Sequence, residues 1–154
     1  MSSCIAVTAN FFFVKQHADN CPVRFVDGCY GGNAFDPTFA SVSDSRNNSY
    51  LGRGISLEKY TGSRGKLGAS DSNAEFMSSV VRMLDKNRIP WQTGELGKVD
   101  AGGGGTISYI MDNMGMVVLD CAVPVLSMAA PFEVMSKIDL YYTYLAYRCF
   151  VENA

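Results

Sequence analysis

Apolar residues occur along this chain in short blocks whose spacing changes from one block to the next. Cys4 to Thr8 reads as a short buried strand, and Ile55 to Tyr60 looks like a second. Ser72 and Glu75 have the S-x-x-E spacing of a capping box, and Phe76, Met77, Val80, Val81 and Leu84 follow on one face of a helix. Asn87 and Pro90 mark the end of that helix. Ile89 to Glu95 reads as a further strand. The glycine run Gly102–Gly105 then leads into a helix near Thr106 to Asn113, closed by Gly115. Met116–Asp120 and Val123–Leu126 form an apolar run broken only by Asp120 and Pro124, as suits a strand covered on both faces. Pro131 fits the first turn of a last helix, with Val134, Ile138, Tyr141, Tyr142, Leu145 and Cys149 as its apolar stripe.

The order β-β-α-β-α-β-α predicts an α/β sandwich. Phe11–Val14 extends the first apolar run into a segment, residues 15–53, rich in Asn, Asp, Gly and Ser. So long an irregular stretch is unusual inside a compact domain. No internal repeat is visible.

Composition narrows the function classes. The chain has 154 residues, 47% hydrophobic and 18% charged, which suits one globular domain with a core. A net charge of −2 without a basic block gives no electrostatic footprint for nucleic acid. No apolar run approaches the roughly 20 residues of a membrane helix. The N-terminal residues lack the charged and apolar regions of a signal peptide. Five cysteines, an odd number without C-x-x-C spacing, point to reduced thiols in a cytoplasm. Cys4 and Cys121 lie in apolar runs and read as small buried residues.

Several polar groups are candidates for chemistry. Gly102–Gly105 precedes a helix and could cradle an anion. It lacks the Gly-Lys-Ser/Thr of a P-loop, so a loop allowing close backbone approach is the favoured reading. His17, the sole histidine, lies near Asp19, Cys21, Asp27 and Cys29, but H-x3-C-x7-C matches no zinc spacing. Lys59, Arg64 and Lys66 could hold a carboxylate or phosphate, with a solvated basic loop the simpler reading. Glu95 ends a strand before a glycine loop and could be an acid, but no second carboxylate or histidine is tied to it in sequence. Tyr141, Tyr142, Tyr144 and Tyr147 read as core and rim of the last helix.

The wording of several segments carries a family resemblance. Tyr60-Thr61-Gly62-Ser63-Arg64-Gly65-Lys66 is one segment, and Trp91 through Asp100 another. Gly102 to Thr106, Asp120-Cys121, Pro124-Val125-Leu126-Ser127-Met128, Ala130 to Val134 and Ser136-Lys137-Ile138-Asp139 continue the match. Together they resemble the bacterial branch of the aspartyl aminopeptidase (vacuolar aminopeptidase I-like) family of dinuclear zinc peptidases. The match is dense from Asn33 to Cys149.

The resemblance implies a three-layer α/β/α sandwich of the zinc-exopeptidase type with a mostly parallel sheet, residues 1–154 forming part of one catalytic domain. It implies removal of an N-terminal, often acidic, residue from peptides. Two zinc ions would activate the water, with a glutamate as base. It also implies a homo-oligomer in the cytoplasm. Lys59 matches a lysine associated with substrate binding.

Four departures stand out. The first histidine, bridging aspartate and Glu-Glu pair of the family lie upstream of the matched segment. A metal-binding aspartate position reads Asn10. The histidine of Ser-Met-His reads Ala129 after Ser127-Met128. Residues 11–32 look like an insertion. The expectation is therefore a chain that resembles a zinc aminopeptidase, is inactive alone and binds no catalytic zinc pair. Two further readings stand beside it: a non-enzymatic oligomer subunit or complementing fragment, and an anion-binding module using Gly102–Gly105 and Lys98.

Overall fold

A computed structural model describes residues 12–15, 24–27, 32–39, 41, 45–61, 70–95, 106–128 and 130–153. In chain order the elements are β1 (Phe12–Lys15), β2 (Arg24–Asp27), β3 (Gly32–Asn33) and a 3-10 turn at Pro37–Phe39. Next come β4 (Ile55–Glu58), β5 (Tyr60–Thr61), β6 (Ser70–Asp71), α1 (Ala74–Lys86), β7 (Trp91–Gly94) and α2 (Ser108–Asn113). The chain then forms β8 (Val117–Ala122), β9 (Pro124–Leu126), β10 (Val134–Met135) and α3 (Lys137–Asn153).

The main sheet has the order β1-β2-β8-β4-β7. It is mixed. β2·β8 and β4·β7 are parallel, whereas β1·β2 and β4·β8 are antiparallel. The expectation of a mostly parallel sheet is thus met at two of its joins. A smaller sheet joins β10, β9 and β3, and β5 pairs with β6. The long apolar run 116–126 is two strands in two sheets: β8 ends at Ala122 and β9 starts at Pro124. Asp120 lies within β8, buried, and does not interrupt it. Part of the stretch expected to be irregular is also regular, since β1 and β2 pair antiparallel and β2 joins the sheet through β8. The apolar run Cys4 to Thr8 lies outside the described residues.

Side-chain alternation along β4 and β8 sets where the core lies. Ile55 and Leu57 on β4, with Leu119 and Cys121 on β8, face Phe76, Val80 and Leu84 of α1 and Ala146, Tyr147 and Phe150 of α3. Phe76 and Phe150 meet edge to face, 6.4 Å between centroids. The Tyr147 hydroxyl donates to the Cys121 carbonyl at 2.5 Å, tying α3 to the sheet. Cys121 and Cys149 are buried free thiols.

Two helix readings change. α1 has the apolar face expected of it, but its N-cap is Asn73, whose side chain accepts from the Phe76 amide at 2.7 Å; the Ser72 hydroxyl is buried without a hydrogen-bond partner. Pro131 does not start α3, which begins at Lys137 after the exposed strand β10. The buried face of α3 comprises Asp139, Thr143, Ala146, Tyr147, Cys149 and Phe150, whereas Val134, Ile138 and Tyr141 are exposed. An aspartate sets that phase. Asp139 is fully buried because it accepts from the Gly52 and Gly54 amides at 2.6 and 2.8 Å.

Candidate functional site

Three adjacent strands bring a row of acidic positions together at one end of the main sheet. Glu58, the last residue of β4, pairs with Asp120 of β8 on one side and with Gly94 of β7 on the other. Glu95 follows Gly94 directly. Alternation puts Glu58 and Asp120 on the face opposite Leu57 and Cys121, away from α1 and α3.

Glu58 is 2% exposed. Its Oε1 accepts from the Ser56 hydroxyl at 2.6 Å, while Oε2 is buried without a hydrogen-bond partner. Room for this carboxyl comes from Gly94, where a Cβ would stand 2.7 Å from Oε1 and 2.6 Å from the Ser56 Oγ. Burial pushes the Glu58 pKa up to about 7; the Ser56 hydrogen bond pulls the other way, and the Glu95 charge pushes it up further.

Asp120 is buried but well supplied with donors. The Ser108 hydroxyl donates to Oδ1 at 2.5 Å and the Thr106 hydroxyl to Oδ2 at 2.8 Å. The Ser108 amide in turn donates to the Thr106 Oγ1 at 3.2 Å, and Thr61 Oγ1 lies 3.4 Å from that same oxygen. One aspartate therefore fixes the start of α2 to β8.

Lys59 leaves the sheet immediately after Glu58. Its side chain is exposed and its Nζ is paired with the Asp71 carboxylate on β6. The Lys59 carbonyl accepts from the amide of Ser72, the residue after β6, at 2.8 Å, so Asp71 and Ser72 together hold its side chain and its backbone. A second turn follows β9. Ser127 has φ 58°, a left-handed conformation uncommon for a residue with a Cβ, and its carbonyl accepts from the Ala130 amide at 3.0 Å.

Of the sequence-derived candidates, Lys59 and Glu95 thus lie at the same sheet end, next to Glu58. Asn10, Ala129, His17, Asp19, Cys21, Cys29, Arg64, Lys66, Lys98 and Gly102–Gly105 lie outside the described residues. Tyr147 is core; Tyr141 and Tyr144 are exposed. Among the described residues no three His, Cys, Asp or Glu side chains converge as metal ligands. Sequence reasoning missed Glu58, which stands beside Lys59 at the end of an alternating strand, a position where a carboxylate ordinarily faces solvent. It also missed Asp71, and it noted Asp120 only as an interruption of an apolar run and as part of a matched segment. The Thr106 and Ser108 partners of Asp120 sit 14 and 12 residues away, a spacing that carries no motif.

Comparison with known proteins places this geometry. The family profile for aminopeptidase I zinc metalloproteases, M18, matches residues 30–151. A probable M18 family aminopeptidase 1 of Clostridium acetobutylicum is 52% identical over 120 residues, covering 78% of this chain and 26% of the relative. Its Thermotoga maritima namesake is 41% identical over 142 residues, covering 92% and 31%. Among solved structures, the M18 aminopeptidase of T. maritima superposes with a TM-score of 0.77 at 42% identity, covering 84% of this chain and 28% of that one. Aminopeptidase I of C. acetobutylicum superposes with a TM-score of 0.72 at 49% identity, covering 84% and 27%.

The fold and the matched segments are similar to part of known zinc metalloproteases. Within that class, the chain belongs to the M18 family. It spans about a quarter of the length of the curated relatives it matches, 26% for the Clostridium protein. No helix among the described residues is long and apolar enough to cross a membrane.

Proposed function

We propose that this chain is the C-terminal part of the catalytic domain of a zinc metalloaminopeptidase, and that by itself it binds no catalytic zinc pair and hydrolyses no peptide. Residues 1–154 would form one partial domain of a three-layer α/β/α sandwich, with residues 11–32 as an insertion. The family membership over residues 30–151 supports the aminopeptidase setting. The single observation that carries the inactivity is Ala129. It follows Ser127-Met128 where the family resemblance puts a histidine ligand, and a methyl group has no donor atom for zinc. Asn10, at the other matched ligand position, offers a neutral amide in place of a carboxylate. This donor set does not fit a zinc pair.

Within that reading Lys59 is a substrate contact. Its ammonium lies exposed at the sheet end, where it suits the carboxylate of an acidic N-terminal residue. A substrate carboxylate would have to displace Asp71 from it. The test is direct: purified chain is assayed against aspartyl and neutral aminoacyl substrates while bound zinc is counted by elemental analysis. Turnover that chelation abolishes, with zinc bound in stoichiometric amount, overturns the proposal.

One observation favours a second reading, a non-enzymatic subunit of a cytoplasmic homo-oligomer or a complementing fragment. Leu140, Tyr144 and Val151 are exposed along one line of α3, and Phe132 and Val134 are exposed just before it. Exposed apolar side chains of this kind suit contact with other polypeptide. Size measurement of the chain alone and co-expressed with an intact homologue separates the readings; a monomer in both cases removes the second.

A further inference from the structure

The mixed sheet ends in an arrangement that the aminopeptidase reading does not use. Glu58 stands on the central strand with an acidic position on either flank. Asp120 faces it from β8, and Glu95 follows Gly94 on the β7 side. Lys59, the nearest cation in sequence, points into solvent and is paired with Asp71. Ser49, buried and not titratable, lies beside Gly94, its Cβ 3.3 Å from where a Cβ on that glycine would stand. Helices α1 and α3 pack on the opposite face.

Asp120 has a hydroxyl donor on each carboxyl oxygen. Glu58 has one donor, Ser56, on Oε1, and nothing on Oε2. A buried carboxylate oxygen without a donor is costly, whereas a carboxyl O–H there removes the charge. The space that admits the carboxyl exists only because residue 94 lacks a Cβ.

We propose that this end of the β7–β4–β8 sheet is a buried proton-binding site: the Glu58 carboxyl is neutral while the strand ends are paired, and releasing its proton to solvent loosens them. The site is independent of whether the chain takes part in peptide hydrolysis. Its consequence reaches Lys59, because the residue after the switch inherits any movement of the β4 end.

The sign follows from linkage. Burial, the larger cause, raises the Glu58 pKa from an ordinary 4.5 to about 7. Between those values the folded chain holds a proton that the unfolded chain has lost. Stability is therefore highest below about pH 4.5 as far as this group is concerned, falls as pH rises toward 7 and is level above it.

The test compares urea unfolding midpoints of the natural chain and of Glu58→Gln from about pH 5 to about pH 8, a window chosen to bracket the shifted group. Glutamine mimics the neutral acid. The natural chain is expected to lose stability across this window by more than the variant does. An ordinary histidine titrates across this window, so the difference between the two curves, not either curve alone, reads Glu58. Parallel curves overturn the proposal. Should the variant fail to fold, carbon NMR of the Glu58 carboxyl in the natural chain decides. A midpoint near neutrality, shared by the amide shifts of Lys59 and Gly94, supports the site. A midpoint in the ordinary carboxylate range, or amide shifts that do not follow the carboxyl, overturns it.

Discussion

Asp139 and Gly54 are 85 residues apart in sequence and joined by a hydrogen bond of 2.8 Å, the Gly54 amide donating to Oδ1 while the Gly52 amide donates to Oδ2. The aspartate near the start of α3 thereby closes the loop that leads into β4, the central strand of the site. Charge-assisted hydrogen bonds of this kind contribute more than neutral ones, and removing the acceptor strands two amides. Asp139→Ala is expected to lower stability by about 3 kcal/mol. Asp139→Asn should cost somewhat less, because its carbonyl still serves one amide while its NH2 opposes the other. Urea denaturation at constant m-value measures both, and an Asp139→Ala midpoint equal to the natural chain's contradicts the anchor.

The two glycines at that anchor differ in a way that mutation can separate. Both have positive φ, 84° at Gly52 and 91° at Gly54. A Cβ on Gly52 would meet nothing within 4 Å, whereas one on Gly54 would sit 2.1 Å from the Pro90 carbonyl oxygen. Gly52→Ala should therefore cost only the backbone strain, about 1 kcal/mol. Gly54→Ala must also push apart β4 and the segment entering β7, and is expected to cost at least about 3 kcal/mol or to prevent folding. Thermal unfolding of the two variants side by side checks the ranking.

The sequence discloses elements better than it discloses what faces what. α1, β4, β7 and β8 are legible because their apolar residues follow helical or strand spacing, and Gly115 closes α2 at φ 79° as its position suggests. The phase of α3 is not legible. Its apolar residues are spread around the helix, and the buried face is set by two polar residues, Asp139 and Thr143. Strand direction is likewise hidden, since the antiparallel β4·β8 pairing depends on contacts across more than sixty intervening positions. The site is half legible. Lys59 and Glu95 are flagged by type and position, but the buried Glu58 between them is disguised by Ile55 and Leu57. The Asp120 network is assembled from hydroxyls with no sequence signature.

The start of α1 offers a sharper case. The S-x-x-E spacing nominates Ser72, yet Asn73 does the capping. Asn73→Ala is expected to cost about 1 kcal/mol through loss of the Phe76 amide's acceptor. Ser72→Ala should cost less and could be neutral, because the buried Ser72 hydroxyl has no hydrogen-bond partner to lose. Helix content by circular dichroism and unfolding midpoints for the two variants distinguish the residues. A larger effect at Ser72 than at Asn73 would restore the spacing-based assignment.

Asp120 tests whether the carboxylate row is structural on its β8 side. Its two oxygens receive Ser108 and Thr106, so Asp120→Ala leaves two buried hydroxyls without that acceptor and detaches the start of α2 from the sheet. The expected cost is about 2 to 4 kcal/mol, in line with unsatisfied buried groups. Asp120→Asn keeps the shape, and a hydroxyl can rotate to accept from its NH2, so about half that cost is expected. The other flank of the row bears on Glu58. The Glu95 charge helps to raise the Glu58 pKa, so Glu95→Gln should favour the ionised form of the buried carboxyl. The midpoint of the Glu58 carbon shift should therefore move down in that variant. A midpoint that stays put would mean that the two carboxyls do not sense each other at the sheet end.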